Sequence, residues 1–88
     1  MTIKHAAVAG TLESCDVMIT VEPSDTLEIT VDSTVKDLFG KKILACVEEN
    51  LKKQGVTAAK VQVQDKGAFD CTIAARLEAA VLRAQKEG

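Results

Sequence analysis

The chain has almost no aromatic side chains. Trp and Tyr are absent from its 88 residues, and Phe39 and Phe69 supply the whole aromatic content of 2%. Proteins that bind single-stranded nucleic acid stack bases on aromatic rings and follow the phosphate backbone with positive charge. The net charge of −2 gives this chain neither feature, so nucleic acid is not an expected partner. The core must be built from Val, Ile, Leu and Ala.

Paired cysteines and a second histidine are also missing. Cys15, Cys46 and Cys71 are widely spaced and odd in number, which favours reduced thiols over a disulfide framework or a zinc site. His5 is the only histidine, and we expect it in a segment that frays. Any Ser–His or Cys–His catalytic pair would have to use it, and no metal-binding pattern is found.

Long apolar runs are absent as well. No segment approaches the roughly 20 apolar residues that a membrane span needs, and residues 1–5 lack the apolar run of a secretory signal. We therefore expect a cytoplasmic location. A chain of 88 residues predicts one domain, residues 1–88, which buries only roughly 60 to 65% of its unfolded surface. A core this thin leaves no room for a large substrate cleft.

Alternation of apolar and polar residues predicts the strands. Residues 6–12 are weakly strand-like, whereas residues 17–22 and 27–32 alternate cleanly, as half-buried strands do. The short connections between these three runs predict a meander. A fourth strand is expected to open at Val56 and to close at Asp65-Lys66-Gly67.

Two segments have a helical period. The first starts at Thr34, with Ser33 or Thr34 as its cap, and ends through a left-handed residue at Gly55. The second has Asp70 as its expected N-cap. Their apolar faces hold Val35, Leu38, Phe39, Ile43, Cys46, Val47 and Leu51 in the first helix, and Ile73, Leu77, Ala80, Val81 and Ala84 in the second.

These elements predict an α+β fold with the order β-β-β-α-β-α. A two-layer sandwich, in which a four-stranded antiparallel or mixed sheet carries both helices on one face, buries every apolar stripe. The polar faces of the strands then remain exposed. Which strand neighbours the fourth is left open, although a right-handed crossover from the third strand is favoured if the two are parallel.

Ser14 is the most informative candidate for a functional residue. The run Ala9-Gly10-Thr11-Leu12-Glu13-Ser14-Cys15-Asp16 predicts a strand that ends in a tight acidic turn with Ser14 at its tip. The carboxylates of Glu13 and Asp16 oppose ionisation of the serine, and no histidine stands beside it. Ser14 is thus suited to be modified by another enzyme rather than to attack, although an ordinary turn serine has the same pattern.

The other candidate residues have simpler explanations. Ser33, preceded by Asp32, resembles the modification site of fatty-acid-type acyl carrier proteins, but those are four-helix bundles and helix capping explains the residues here. Cys15 is a candidate reactive thiol at the loop tip, where the neighbouring carboxylates disfavour its thiolate. Cys46 and Cys71 are expected to be small core hydrophobes.

Two separated motifs resemble the acyl carrier (gamma) subunit of citrate lyase. The first comprises residues 7–14 and 16–19, and the second comprises residues 65–71 and 75–80. Because both occur in the family's order, the resemblance is specific, and it covers essentially the whole chain, with the middle helix matching only in pattern. Cys15 departs from the family, in which the residue after the modified serine is usually small, often Gly or Ser.

The resemblance implies that Ser14 carries 2'-(5''-triphosphoribosyl)-3'-dephospho-CoA through a phosphodiester, installed by a holo-protein transferase. It also implies an acetate ligase that acts on the thiol of this arm. The citrate lyase alpha subunit would exchange the acetyl group for citrate on that thiol, and the beta subunit would release oxaloacetate. The chain itself would then be a non-catalytic carrier subunit of the lyase complex.

Three alternatives remain open. The homologous carrier of malonate decarboxylase uses the same prosthetic group, and substrate specificity lies in the partners, although both motifs look closer to citrate lyase. A small thiol enzyme using Cys15 belongs to a different functional class. So does a purely structural assembly module, in which Ser14 has no chemical role.

Overall fold

The computed structural model describes residues 3–33 and 36–85, without the side chains of residues 36–39. Four strands and two helices follow one another in the predicted order β-β-β-α-β-α. Their bounds are β1 Ala7–Gly10, β2 Val17–Glu22, β3 Leu27–Ser33, α1 Lys36–Lys53, β4 Ala59–Asp65 and α2 Asp70–Gln85. The α+β fold class is confirmed.

The four strands form one mixed sheet in the order β1-β2-β4-β3. Strand β2 is antiparallel to both β1 and β4, whereas β3 is parallel to β4. The predicted meander is therefore wrong, because β4 inserts between β2 and β3. The connection through α1 supplies the long crossover that neighbouring parallel strands require.

One face of the sheet is apolar and carries the helices. In β2 and β4 the residues on this face are buried, whereas in the edge strand β3 they are only partly covered. Helix α2 packs on β1 and β2, and α1 packs on β3 and on α2. The buried residues of β2 and β4 on this face are Val17, Ile19, Val21, Ala59, Val61, Val63 and Asp65.

Helix α1 ends as the sequence predicts. Gly55 has a φ of 73°, its amide donates to the carbonyl of Lys52 over 3.1 Å, and the amide of Val56 donates to the carbonyl of Leu51 over 3.0 Å. This pair of bonds is a Schellman motif, completed by the buried side chains of Leu51 and Val56. Val56 thus closes the helix, and β4 opens later, at Ala59.

The apolar face of α1 is confirmed where the side chains are described. Ile43, Val47 and Leu51 are buried and Cys46 is half-buried. The expected start of the helix at Thr34 lies outside the described residues. The side chains predicted to continue this face, those of Val35, Leu38 and Phe39, also lie outside the described set.

Helix α2 buries its predicted stripe of Ile73, Leu77, Ala80, Val81 and Ala84. The predicted N-cap is wrong by one residue. The carbonyl of Phe69 accepts the amides of Thr72 and Ile73, both over 3.0 Å, so Phe69 precedes the helix and Asp70 is its first residue. The carboxylate of Asp70 still lies in the first turn, where the helix dipole favours negative charge.

The amino-terminal segment is attached to the far end of α2. Ile3 is buried, and the amides of Lys4 and His5 donate to the carbonyl of Ala84 over 3.0 and 3.2 Å. These bonds satisfy a carbonyl that the helix itself leaves without a partner. The backbone of His5 is therefore hydrogen-bonded to α2 in this structure, and fraying of the segment stays a prediction.

The two helices do not have the length and hydropathy of a membrane span. This finding concerns the helices of the described ranges alone.

Gly10, the last residue of β1, has no room for a side chain. Its φ is 92°, and a Cβ built on it would overlap the carbonyl oxygen of Val17 and lie 3.3 Å from Cδ of Arg76. Gly67 has a similar φ of 89°, but a Cβ there would meet nothing within 4 Å. A side chain at Gly67 would therefore cause only backbone strain, whereas a side chain at Gly10 would cause backbone strain and steric overlap.

We expect Gly67→Ala to lower the free energy of unfolding by about 1–2 kcal/mol, the penalty of a left-handed backbone for an L-residue. Gly10→Ala should lose at least about 2 kcal/mol more, because the overlap with backbone forces β1 and β2 apart. Urea denaturation of both variants measures the difference. Equal losses would contradict the close approach at Gly10.

Candidate modification site

Ser14 occupies the second position of a tight turn. The amide of Asp16 donates to the carbonyl of Glu13 over 3.1 Å, which closes a four-residue turn with Ser14 and Cys15 at its centre. Cys15 has a φ of 66°, as the third position of a type II turn requires. The turn at the tip of the β1–β2 connection is therefore confirmed, and Ser14 is exposed.

Cys15, the residue after the serine, has a left-handed backbone conformation that glycine adopts most easily. A side chain at this φ costs about 1–2 kcal/mol relative to glycine. Cys15 bears this strain while its amide donates to the carbonyl of Lys66 over 2.7 Å. The hydrogen bond to Lys66, the residue that follows β4, stabilises the turn in this conformation.

The bonds to Lys66 extend the sheet into the turn. Val17 is paired with Asp65 in the register of β2 and β4, and one step further the amide of Lys66 donates to the carbonyl of Asp16 over 2.9 Å. Together with the bond from Cys15, this places two residues, Cys15 and Asp16, opposite Lys66, which is a β-bulge next to the last regular pair. The backbone on the carboxyl side of Ser14 is therefore fixed to β4.

Asp16 holds the amino side of the same turn. Its carboxylate accepts the hydroxyl of Thr11 over 2.7 Å and the amide of Val17 over 2.8 Å. The hydroxyl of Thr11 in turn accepts the amide of Glu13 over 3.2 Å. Asp16 thus connects the residues before and after Ser14 through a single charged group.

Arg76 of α2 completes this arrangement. Its Nε and Nη2 donate to the two carboxylate oxygens of Asp16 over 3.1 and 3.3 Å, in the two-pronged geometry that guanidinium and carboxylate groups favour. The absence of a side chain at Gly10 leaves room for the Arg76 stem beside β1. The hydrogen bonds from Thr11, Val17 and Arg76 lower the pKa of Asp16 from 3.8 to about 2.

Sequence reasoning missed the role of Arg76. Its place on the polar side of the α2 stripe indicates a solvated side chain, and 60 residues separate it from Asp16. The only available signal was its position inside the second resembling motif. In the structure it is half-exposed and paired, and it joins that motif to the first.

Asp65 is a second carboxylate at this end of the sheet, and it is 1% exposed. It accepts the hydroxyl of Ser33 over 2.7 Å and the amide of Ala68 over 2.9 Å, which fixes the connection between β4 and α2. Ser33 is half-buried at the end of β3, and its hydroxyl is engaged with this carboxylate. It is therefore a poor acceptor for a bulky group.

The hydroxyl of Ser14, in contrast, is exposed and has no hydrogen-bond partner among residues 3–33 and 36–85. His5 lies near Ala84, about 12 Å along the axis of α2 from Arg76 at 1.5 Å per residue. No group of three potential metal ligands occurs in the described part of the chain. The geometry therefore offers an accessible acceptor without a nearby histidine.

The three cysteines differ in exposure. Cys15 and Cys71 are exposed, and Cys46 is half-buried. The prediction that Cys71 is a core residue is therefore wrong, because it lies beside the buried stripe of α2. Burial raises the pKa of the Cys46 thiol, and the charges of Asp70 and Glu49 raise it further. Cys46 is accordingly held in its protonated form at neutral pH.

The chain matches the model of an acyl carrier family described as malonate decarboxylase delta subunit (MdcD) over residues 4–84. It is 53% identical to the citrate lyase acyl carrier protein of Haemophilus influenzae (strain PittGG), over 99% of this chain and 92% of that protein. It is 56% identical to the citrate lyase acyl carrier protein of Streptococcus mutans, over 96% and 84% of the two chains.

A solved structure has the same fold. A chain of a Pseudomonas malonate decarboxylase hetero-tetramer in complex with malonate superposes with a TM-score of 0.79 at 23% identity, covering 96% of this chain and 88% of that one. The fold and the family match define the class, that of the acyl carrier proteins. Within that class, the chain belongs to the citrate lyase acyl carrier protein family.

We expect Asp16→Asn to destabilise the protein in a pH-dependent way. Because folding lowers the pKa of Asp16 from 3.8 to about 2, its contribution to stability is full above the unfolded value and is lost as the pH falls through the folded value. The variant should be less stable than wild type at pH 6, and the gap should close as the pH falls from 3.8 towards 2. Urea unfolding across this range measures the gap, and a constant gap would contradict the charge interaction.

Proposed function

We propose that this chain is the acyl carrier subunit of a citrate lyase and that Ser14 anchors its prosthetic group. The proposal rests on the difference between the backbone and the serine side chain within one turn. The backbone around Ser14 is held by Lys66, Asp16 and Arg76, whereas the serine hydroxyl itself is exposed and without a partner in the described ranges. A carrier needs such an anchor, which is fixed in place yet open to attachment.

Ser14 is suited to a phosphodiester linkage. Its hydroxyl oxygen attacks the innermost phosphorus of the precursor's triphosphate, so the Oγ–P bond forms while a P–O anhydride bond breaks. The displaced group leaves as pyrophosphate, and the hydroxyl proton passes to a base of the transferase. No histidine stands at the turn, and the Asp16 carboxylate is engaged by Thr11, Val17 and Arg76, so a separate enzyme is expected to supply the base.

The charges beside the turn are compatible with a phosphodiester. Glu13 and Asp16 are the nearest carboxylates in sequence, and Asp16 is already paired with Arg76. Lys66, which is exposed, is bonded through its backbone to Cys15 and Asp16. Lys66 and the half-exposed Arg76 thus offset the charges of Glu13 and Asp16 around the turn.

The proposed precursor is 2'-(5''-triphosphoribosyl)-3'-dephospho-CoA, and after loss of pyrophosphate its phosphoribosyl-dephospho-CoA part would stay on Ser14. When bound, this group supplies the thiol on which acetyl and citryl groups are carried as thioesters. This chain contributes the anchor and the rigid body. A tether fixed at the end of a small domain keeps the acyl group at high effective concentration near each active site that it can reach. The carrier itself performs neither the exchange of acetyl for citryl nor the cleavage of the citryl group.

The proposed partners follow from this division of labour. They are the alpha and beta subunits of citrate lyase, the holo-protein transferase that loads Ser14, and an acetate ligase that acts on the thiol of the arm. The curated relatives described above are named citrate lyase carriers at 53% and 56% identity. The family model and the solved structure carry the name malonate decarboxylase, so the malonate decarboxylase carrier is the second candidate.

We expect Ser14→Ala to abolish loading while the fold is retained, because the side chain contacts nothing that the body needs. Coexpression with the transferase and measurement of intact mass should show added mass on wild type and none on the variant. Ser24→Ala is the matched control. Ser24 is another turn serine, whose hydroxyl accepts the amide of Thr26, and the variant should load as wild type does.

We expect Cys15→Ser to load fully and to support citrate cleavage in the reconstituted complex at close to the wild-type rate. Serine keeps the size of the side chain and removes the thiol. His5 lies too far away to pair with the side chain at position 15 in the wild type or in the variant. The rate of oxaloacetate release measures the effect. A loss comparable to that of Ser14→Ala would favour a thiol enzyme over a carrier.

A further inference from the structure

Two large apolar side chains are exposed at the end of the molecule that holds Ser14. Leu12 is 51% exposed and Phe69 is 74% exposed. Phe69 is one of only two aromatic residues in the chain. Leu27 and Leu82 have comparable exposure, but they lie at the opposite end, at the start of β3 and near the end of α2.

Both residues are close to the serine. Leu12 is two residues before Ser14, a separation of at most about 7 Å between Cα atoms. Phe69 is three residues after Lys66, which is bonded to the turn, and these three steps span at most about 11 Å. Leu12 and Phe69 therefore lie at the same end of the molecule as Ser14.

Their exposure is built into ordered backbone. The bond from the amide of Glu13 to the hydroxyl of Thr11 encloses Leu12. Phe69 accepts two amides of the first turn of α2, and its neighbour Ala68 is bonded to Asp65. The fold thus presents both apolar groups to solvent from hydrogen-bonded backbone, and aromatic residues such as Phe69 are enriched at protein–protein interfaces.

We propose that Leu12 and Phe69 form the contact surface for the enzyme that esterifies Ser14. This inference rests on the proposed function. A long arm lets the other partners work at a distance from the carrier body, but the esterifying enzyme must bring its phosphorus atom to within about 3–3.5 Å of the serine oxygen. The surface around Ser14 is then covered by that enzyme.

The charges on this surface indicate the chemistry of the partner. The described charged side chains at this end are the carboxylates of Glu13, Asp16, Asp65 and Asp70 and the basic groups of Lys42, Lys66 and Arg76, which leave one net negative charge. An enzyme that binds a triphosphate precursor needs positive charge around its active site. Its rim would therefore combine basic residues with an apolar recess for Phe69.

The test compares Phe69→Ala and Leu12→Ala with Leu82→Ala, a leucine of equal exposure far from Ser14. Initial loading rates, read as intact mass against carrier concentration, should show kcat/KM lowered about tenfold for Phe69→Ala, mainly through KM. Leu82→Ala should stay within twofold of wild type, and Phe69→Leu should recover part of the loss. Equal kcat/KM for Phe69→Ala and wild type would overturn the inference.

A binding experiment separates this inference from the proposed function. Carrier with Ser14→Ala cannot be loaded, yet it should compete with wild type for the transferase, and adding Phe69→Ala should remove that competition. If the double variant competes equally well, the contact surface is wrong while Ser14 remains the anchor. If carrier with Ser14→Ala gains mass, the anchor itself is wrong and both proposals are overturned.

Discussion

The ion pair between Asp16 and Arg76 connects the parts of the molecule on which the proposed site depends. Through one carboxylate it joins the end of β1, the start of β2 and the second turn of α2. Gly10 belongs to the same arrangement, because any side chain there would displace the Val17 backbone and crowd the Arg76 stem. The turn that presents Ser14 is thus a product of tertiary contacts rather than of its own four residues.

Two carboxylates fix the two connections at this end of the sheet. Asp16 holds the β1–β2 turn, and the buried Asp65 holds the β4–α2 connection through Ser33 and Ala68. Lys66 joins the two loops through its backbone. Hydrogen bonds thereby fix this end of a short chain with a thin core, and of the two described serines at this end, Ser33 is engaged by Asp65 whereas Ser14 is not.

The local features of the fold were predictable, whereas the long-range ones were not. Alternation in β2 and β3, the stripe of α2 and the glycine stop at Gly55 are periodic or short-range signals. The insertion of β4 between β2 and β3 depends on which apolar strand faces pack best together, and these faces are interchangeable in sequence. The Arg76 contact spans 60 residues, and the docking of residues 3–5 on α2 has no local signature. Ser14 was found through the resemblance of its motif, and the structure adds the reason that its hydroxyl is accessible.

The central claim is that Ser14 is a passive anchor and that the reactive thiol belongs to the group attached to it. Peptide mapping of the carrier isolated from an active native complex tests it most directly. The account predicts that the peptide containing Ser14 bears the added mass of a phosphoribosyl-dephospho-CoA, while the peptide containing Ser33 is unmodified. An unmodified Ser14 peptide from a fully active complex would contradict it.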